Sequence, residues 1–367
     1  MKAAVFHEVG QPLEITDVAI SKPGPHEILV RSSVVGVCHS DLHFVDGLWP
    51  IRTPAILGHE ASGIVEQVGS EVRYVEPGDH VITCLSVFCG YCEYCMSGEP
   101  ALCDKRATRR PRTEEPRLAL PASNGGGPRP ISQFADLASF AEQMLVHENA
   151  VVKIRKDMPL DRAAVIGCAV ITGVGAAFRT AAVEPGSTVA VIGCGGIGLS
   201  TINGADLAGA SRIIAIDRVS SKLDLARAFG ATDTIDASDG DTVKQVLDLT
   251  GGGVHYAFEA IGLKATAEQA WAMLRPGGTA TVIGMVPMGQ KVEIPGHELL
   301  QSKCLQGCTM GSNRFRVDMP RLVEFYLGGR LKLDELISDR IEFSQINEAL
   351  QNLKSGEVAR QVIVFDD

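Results

Sequence analysis

Ser187-Thr-Val-Ala-Val-Ile192, continued by Gly193-Cys194-Gly195-Gly196-Ile197-Gly198, is the stretch that decides the fold of this chain. The apolar, β-branched run reads as a buried strand, the glycines as a tight turn, and the residues to about Gly209 as a helix. Glycines at such a turn let the backbone approach a ligand, so a pyrophosphate can rest on the free N–H groups that open the helix. Asp217 falls 19 residues after Gly198, at the end of the next strand pattern, Arg212 to Asp217. A carboxylate there hydrogen-bonds the adenosine ribose hydroxyls and repels a 2′-phosphate, which predicts NAD rather than NADP.

Further along, Ser221 to Phe229 reads as a helix, Val254 to Ala260 and Gly278 to Gly284 as strands, and Lys264 to Leu274 as the helix between them. Strands alternating with helices imply a parallel, doubly wound sheet. The first 100 residues follow another grammar: Ile28 to Val35, Gly63 to Val68 and His80 to Thr83 are strand-like, cut by Pro23-Gly24-Pro25 and Pro77-Gly78-Asp79. That spacing predicts a small β-rich, barrel-like unit. Lys105 to Pro130, rich in Arg, Pro, Gly and Ser, reads as a surface excursion with solvated arginines. Beyond Gly311 the alternation is lost, and Arg360 to Phe365 reads as a strand returning to the β-rich domain. The expected organisation is therefore 1–169, 170–311 and 312–367, an α/β chain with a β-rich domain built from both ends.

The 367 residues suit two domains at roughly 100–200 residues each. Hydrophobic residues at 45% and charged residues at 21% exclude global disorder. Thirty-four Lys and Arg against 44 Asp and Glu, a net charge of −10, argue against nucleic acid or an anionic membrane as partner. Met1 to Glu8 carry no secretory apolar region, and no apolar run reaches the roughly 18 residues of a membrane span. A cytoplasmic protein is expected, and ten cysteines in a reducing compartment point to metal or catalysis before disulfides.

Cys89-x2-Cys92-x2-Cys95-x7-Cys103 has the spacing of a four-thiolate zinc shell. Such a shell is closed and leaves no position for chemistry, so the site is structural. Cys38, in Cys38-His39-Ser40-Asp41-Leu42-His43, and His59, in Gly58-His59-Glu60, each follow a strand and can supply two of three ligands of a second, open site. A third must come from elsewhere, and Cys168 lies next to the start of the dinucleotide domain.

Gly58-His-Glu-x2-Gly63-x5-Gly69-x2-Val72, with the cysteines and the glycine turn in the same order, resembles the zinc-dependent medium-chain alcohol dehydrogenase family from Met1 to Phe365. The resemblance implies a GroES-like catalytic domain around a Rossmann domain. It implies Zn²⁺ held by Cys38, His59 and Cys168, a fourth position for an alcohol oxygen, and hydride transfer to NAD, with two zinc ions per chain. It further implies that Ser40 takes the alcohol proton and passes it through the nicotinamide ribose to His43. Asp41 orients the His59 ring, and Glu60 lies behind the zinc. His39 and Arg360 match pyrophosphate contacts, Lys222 one near the adenosine ribose, Thr172 one beside the nicotinamide, and Trp49 and Leu85 walls of the substrate pocket.

The substrate so implied is a primary or secondary alcohol or its carbonyl product. The alternative is a thiol-dependent (glutathione or mycothiol) formaldehyde dehydrogenase, although that branch places acidic residues where Gly47 and Trp49 stand. A polyol dehydrogenase would carry a glutamate in place of Cys168, and a zinc-free quinone reductase would lack Cys38 and the cysteine lobe. An inactive binding protein on the same scaffold would have lost ligands that are present here. Dimeric family members carry an insertion where Lys105 to Pro130 stands, which implies a homodimer paired near Lys291 to Ile294, with a tetramer as the alternative.

Overall fold

The computed structural model describes residues 1–104, 106–111, 113–121, 127–355 and 359–365. Two units divide the chain: Met1–Cys168 with Arg314–Leu327 and Ile337–Asp367, and Ala169–Asn313 with Gly328–Leu336. The chain thus leaves the first unit and returns to it. Gly328–Leu336 groups with the second unit because Asn203 ties it there, accepting from the Lys332 N–H at 3.0 Å.

The first unit is built on a seven-stranded sheet. Its order runs Val151–Ile154, His80–Thr83, Glu60–Val68, Glu27–Val37, Gln361–Val364, Asp339–Glu342, with Gln143–His147 also paired to Glu27–Val37. The last strand of the chain pairs antiparallel to Glu27–Val37, with Gln361 opposite Val37 and Val364 opposite Val34. Apolar side chains of these strands, among them Ile28, Val30, Val35, Val65 and Ile363, are buried in one core. Ordinary β-sheet alternation thereby fixes the loops at the strand ends, where the polar residues collect.

The second unit is a six-stranded, all-parallel sheet. From one edge it reads Asp233–Asp236, Arg212–Asp217, Thr188–Ile192, Val254–Glu259, Leu274–Val282, Cys304–Gly307. That is the Rossmann order, with the reversal at Thr188–Ile192, so the crevice lies beyond the carboxyl ends of Thr188–Ile192 and Val254–Glu259. Near-continuous burial of the strand residues explains why they read as apolar runs rather than alternating ones.

Four expectations are corrected. The sixth strand, Cys304–Gly307, carries no apolar run, being an edge strand exposed at Cys304, and escapes recognition in the sequence. It also forms the sheet edge, whereas Lys291 to Ile294 belongs to no strand of this chain and is tied instead by the Glu293 N–H donating to Glu268 at 2.9 Å. One helical stretch, Leu160–Thr180, is long and apolar enough to cross a membrane, yet 83% of its apolar window is buried in the protein, as befits a core helix. Beyond Gly311 regularity returns in the helix Phe315–Leu327 and again in Ile346–Ser355.

The fourth correction concerns the Arg-rich excursion, of which Lys105, Arg112 and Ala122–Gly126 lie outside the described residues. Its arginines are not all solvated. Arg117 is 7% exposed and donates from Nε to Glu27 Oε1 at 2.7 Å, and from Nη2 to the Thr108 carbonyl at 3.0 Å. Arg110 grips the other oxygen of Glu27 and donates to Ser21 Oγ at 2.6 Å. Leu118–Leu120 joins Ala19–Ile20 and Arg129–Pro130 in a small sheet. Arg117 is buried and Arg110 half-buried, and one carboxylate takes both guanidiniums.

Burial opposes charge on Glu27, but Arg110, Arg117 and the Gly24 N–H hold its carboxyl below the usual range. A depressed folded value means this stabilisation is present above the unfolded carboxylate pKa and is lost as pH falls through the folded one. Glu27→Gln is expected to destabilise the first unit by roughly 3 kcal/mol at neutral pH, because it strands the buried Arg117 and the half-buried Arg110. Thermal unfolding should show that deficit shrinking in acid; a deficit independent of pH would contradict the ionised triad.

Candidate metal centres and dinucleotide turn

The four clustered cysteines sit on a loop around the short helix Glu93–Met96. Their sulfurs lie 3.9 Å (Cys89–Cys95), 3.5 Å (Cys92–Cys95) and 3.7 Å (Cys92–Cys103) apart. A tetrahedral shell with Zn–S bonds of about 2.3 Å has sulfur–sulfur edges of about 3.8 Å. The N–H groups of Cys89 and Cys92 point at the sulfurs of Cys103 and Cys89, both at 3.3 Å, as a thiolate shell requires. The donor set fits zinc.

The second set forms in the first unit from three distant points of the sequence. Glu27–Val37 ends just before Cys38, which opens the helix His39–Val45; His59 immediately precedes Glu60–Val68; Cys168 lies in a π-turn, Ile166–Val170. All three are buried, with one ligand atom each lying within 4.8 Å of the others, and His59 Nε2 is 3.2 Å from Cys168 Sγ. A π-turn displaces a side chain from the regular helical face and is common at functional sites. Two sulfurs and one imidazole nitrogen fit the donor set of an open zinc site, in which three protein ligands are joined by water or substrate.

Asp41 organises this set. It is buried and accepts from the Gly58 N–H at 2.9 Å and the Cys38 N–H at 3.4 Å, while its Oδ1 lies 3.2 Å from His59 Nδ1. With Nδ1 engaged there, Nε2 faces the sulfurs. Burial works against a charge on His59, yet Asp41 lifts it well above the ordinary imidazole range. A hydrogen bond from the Cys168 thiol holds Cys38 well below the usual thiol range, aided against burial by Arg360, and Cys168 is raised in turn. The thiolate is the metal-binding form of cysteine.

Glu60 and Arg360 form a buried pair, Oε2 to Nη1 at 3.2 Å, and Arg360 also donates to the Val37 carbonyl at 2.9 Å. Burial pushes Glu60 up to about 7, with Arg360 pulling the other way. Arg360, expected on the pyrophosphate, also pairs with Glu60. The two are 300 positions apart, and no local pattern announces their contact. Gly36 stands opposite Glu60, and a Cβ there would lie 2.8 Å from the Glu60 carboxyl carbon, so any larger residue would displace that carboxylate.

Ser40 is half-buried, with Oγ 3.7 Å from Cys38 Sγ. His43 is half-buried too, and burial holds it below the usual imidazole range against Cys38 and Asp46. His39 is exposed on the same helix. Trp49 is half-buried with an indole N–H that finds no acceptor, and Leu85 packs half-buried against the core.

In the second unit, Gly193, Gly195, Gly196 and Gly198 form the turn into the helix Gly196–Leu207. Gly198 must be glycine: a Cβ would stand 1.7 Å from the Gly193 carbonyl oxygen. Asp217 Oδ2 accepts from the Cys194 N–H at 2.8 Å and Oδ1 from the Val219 N–H at 3.0 Å. The carboxylate is therefore fixed at the lip of the glycine turn, with lone pairs left for ribose hydroxyls. Lys222 lies half-buried on the following helix, and Thr172 donates to Met310 Sδ at 3.4 Å.

A closed four-sulfur shell, an open sulfur–nitrogen site and a Rossmann turn together define a zinc-binding, dinucleotide-linked dehydrogenase. Residues 24–156 match the alcohol dehydrogenase GroES-like domain and residues 196–327 the zinc-binding dehydrogenase domain. The chain is 39% identical to alcohol dehydrogenase class-3 of Oryza sativa subsp. japonica, covering 100% of this chain and 97% of that one. It is 36% identical to S-(hydroxymethyl)glutathione dehydrogenase of Saccharomyces cerevisiae, over 100% and 96%. Among solved structures, benzyl alcohol dehydrogenase of Acinetobacter calcoaceticus superposes with a TM-score of 0.92 at 32% identity, over 100% and 99%. The chain belongs to the zinc-dependent medium-chain alcohol dehydrogenase family. It is an oxidoreductase of the GroES-like and Rossmann architecture, with Zn²⁺ and NAD as its cofactors.

Proposed function

We propose that the chain catalyses the reversible, NAD-linked oxidation of a primary or secondary alcohol to an aldehyde or ketone. The observation that carries this is the convergence of Cys38, His59 and Cys168, three buried donors within 4.8 Å of one another, the donor number of an open zinc site. Bound zinc supplies a Lewis acid for the alcohol oxygen, and NAD supplies the hydride acceptor. Asp41 keeps His59 in the tautomer that presents Nε2, and the Glu60–Arg360 pair balances charge behind the thiolates. Ser40, beside Cys38, takes the proton of the alcohol. His43 stands three residues further on the same helix, on the same face, and delivers that proton to solvent. Asp217 selects NAD, with Lys222 and His39 on the ribose and pyrophosphate; Thr172 packs by the nicotinamide, and Trp49 and Leu85 wall the substrate pocket.

Metal analysis of the purified chain is expected to give two zinc ions per polypeptide, and one or none would contradict the two-site reading. A panel of short aliphatic, long aliphatic, aromatic and terpenoid alcohols with NAD tests the substrate class.

A second reading is favoured by the names of two full-length relatives, class-3 alcohol dehydrogenase and S-(hydroxymethyl)glutathione dehydrogenase. In it the substrate is the hydroxymethyl adduct of a thiol. Gly47 and Trp49 stand where acidic residues mark the glutathione branch, while the relatives weigh the other way, so this reading fits at least as well as the first. Formaldehyde oxidation that requires glutathione or mycothiol would decide for it.

A reducing, cytoplasmic setting suits a chain six of whose ten cysteines would serve as zinc ligands. A homodimer is supported by the exposed apolar Met288, Leu299 and Leu300, the last 92% exposed. Light scattering after size exclusion distinguishes it from a tetramer.

A further inference from the structure

The segment that ends in His59 is held along its length by another. Ser132–Gln133 pairs parallel to Ala55–Ile56, and further on the Ser139 N–H donates to the Gly58 carbonyl and the Phe140 N–H to the Leu57 carbonyl, both at 3.0 Å. Gly58 permits the close approach: at its φ of +85° a Cβ would stand 2.6 Å from Ser139 Oγ and 2.7 Å from the Phe140 nitrogen. Between these anchors the chain bends sharply, with Ala135, Asp136 and Ala138 at φ of 56°, 60° and 62°. Alanine has no polar side chain to offset the left-handed conformation, so such a turn persists only where its surroundings impose it. Two arginines of the Arg-rich excursion supply the restraint. Arg109 donates to both oxygens of Asp136, at 3.2 and 3.5 Å, and Arg117 donates from Nη1 to Gln133 Oε1 at 3.3 Å. Gln133 in turn donates from Nε2 to the Leu137 and Leu145 carbonyls, at 3.3 and 3.0 Å.

What the turn presents is Phe134. Its ring stands perpendicular to the His59 imidazole, centroids 5.4 Å apart and planes at 85°, a favoured geometry for aromatic pairs. It also lies 4.6 Å from the Phe44 ring, on the helix that follows Cys38. Asp41 engages one atom of the imidazole and leaves the ring free to swing about that contact; a second ring packed at right angles removes this freedom. We infer that residues 133–138 form a strained brace for His59, with Phe134 the positioning residue that sets the plane of the imidazole and Arg109 and Arg117 the clamps that hold the turn. The Arg-rich excursion thereby stiffens a zinc ligand that it does not touch. This inference rests on the reading of Cys38, His59 and Cys168 as a zinc site.

The test follows zinc release from the zinc-loaded protein to a chromogenic chelator, with thermal unfolding alongside, for wild type, Phe134→Leu, Asp136→Ala and Ala135→Gly. Phe134→Leu is expected to release one zinc about tenfold faster, the low end of what outer partners of metal-bound histidines contribute, while the zinc of the four-cysteine shell is unaffected. With Co²⁺ in place of zinc, the visible bands of the three-donor site should shift in this variant, which a merely structural role would not produce. Asp136→Ala keeps the ring and should act on the same zinc by about two- to fivefold, the span of an exposed ion pair, so it decides the matter if Phe134→Leu does not fold. Ala135→Gly should raise the thermal midpoint, since glycine adopts the left-handed conformation freely. Unchanged release in a folded Phe134→Leu or in Asp136→Ala, equal acceleration of both zinc ions, or a lowered midpoint in Ala135→Gly overturns the inference. A wild type that binds only one zinc, or none, removes the three-donor reading itself, and this inference with it.

Discussion

Cys38→Ser is expected to reduce alcohol turnover with NAD by roughly a thousandfold or more, the rate equivalent of several kcal/mol of Lewis-acid stabilisation. A serine hydroxyl is a hard, high-pKa oxygen, and it replaces the donor that this structure already holds as the most acidic thiol of the set, beside the Cys168 thiol and Arg360. Zinc content should fall from two to one per chain, since the four sulfurs of Cys89, Cys92, Cys95 and Cys103 form a separate shell. NADH affinity should stay within about twofold, because Gly193 to Gly198 and Asp217 belong to the other unit. Loss of turnover with both zinc ions retained would show that Cys38 is not a ligand. Loss of NADH binding as well would point to misfolding instead.

Asp217→Gly carries the second large effect, a shift in coenzyme preference. Two unit charges about 4 Å apart interact by about 4 kcal/mol at the effective dielectric near a protein surface. Asp217 is only half-buried, so screening reduces this, and the ratio of kcat/KM for NAD over NADP is expected to fall by about 10–100-fold. Two causes act together. The repulsion of a 2′-phosphate disappears, and the exposed Arg218 next to it becomes free to pair with that phosphate. The Cys194 and Val219 N–H groups lose their acceptor, so NAD itself should bind more weakly. Asp217→Asn separates the effects, since the amide keeps an acceptor but removes the charge. An unchanged ratio in both variants would mean that Asp217 does not read the ribose.

What the sequence determined by itself is what close spacing encodes. Gly193 to Gly198 after a β-branched run can hardly be anything but a turn between strand and helix, and a carboxylate 19 residues later follows from the length of one helix and one strand. Cys89, Cys92, Cys95 and Cys103 span so short a loop that a common metal shell is legible before any folding. Strands also announced themselves where they are central: His80–Thr83 and Arg212–Asp217 fall where the sequence placed them, whereas Cys304–Gly307, an edge strand, gave no signal. Only the tertiary structure could bring Cys168 against His59, turn Arg360 onto Glu60, and gather Arg110 and Arg117 on Glu27. Each of these joins a polar side chain to a partner displayed by a different element or by backbone. Hydrophobic periodicity says which face of an element is buried, but not which charge it will meet there. Local pattern sets the elements, and the desolvation of polar groups as those elements come together selects their pairs.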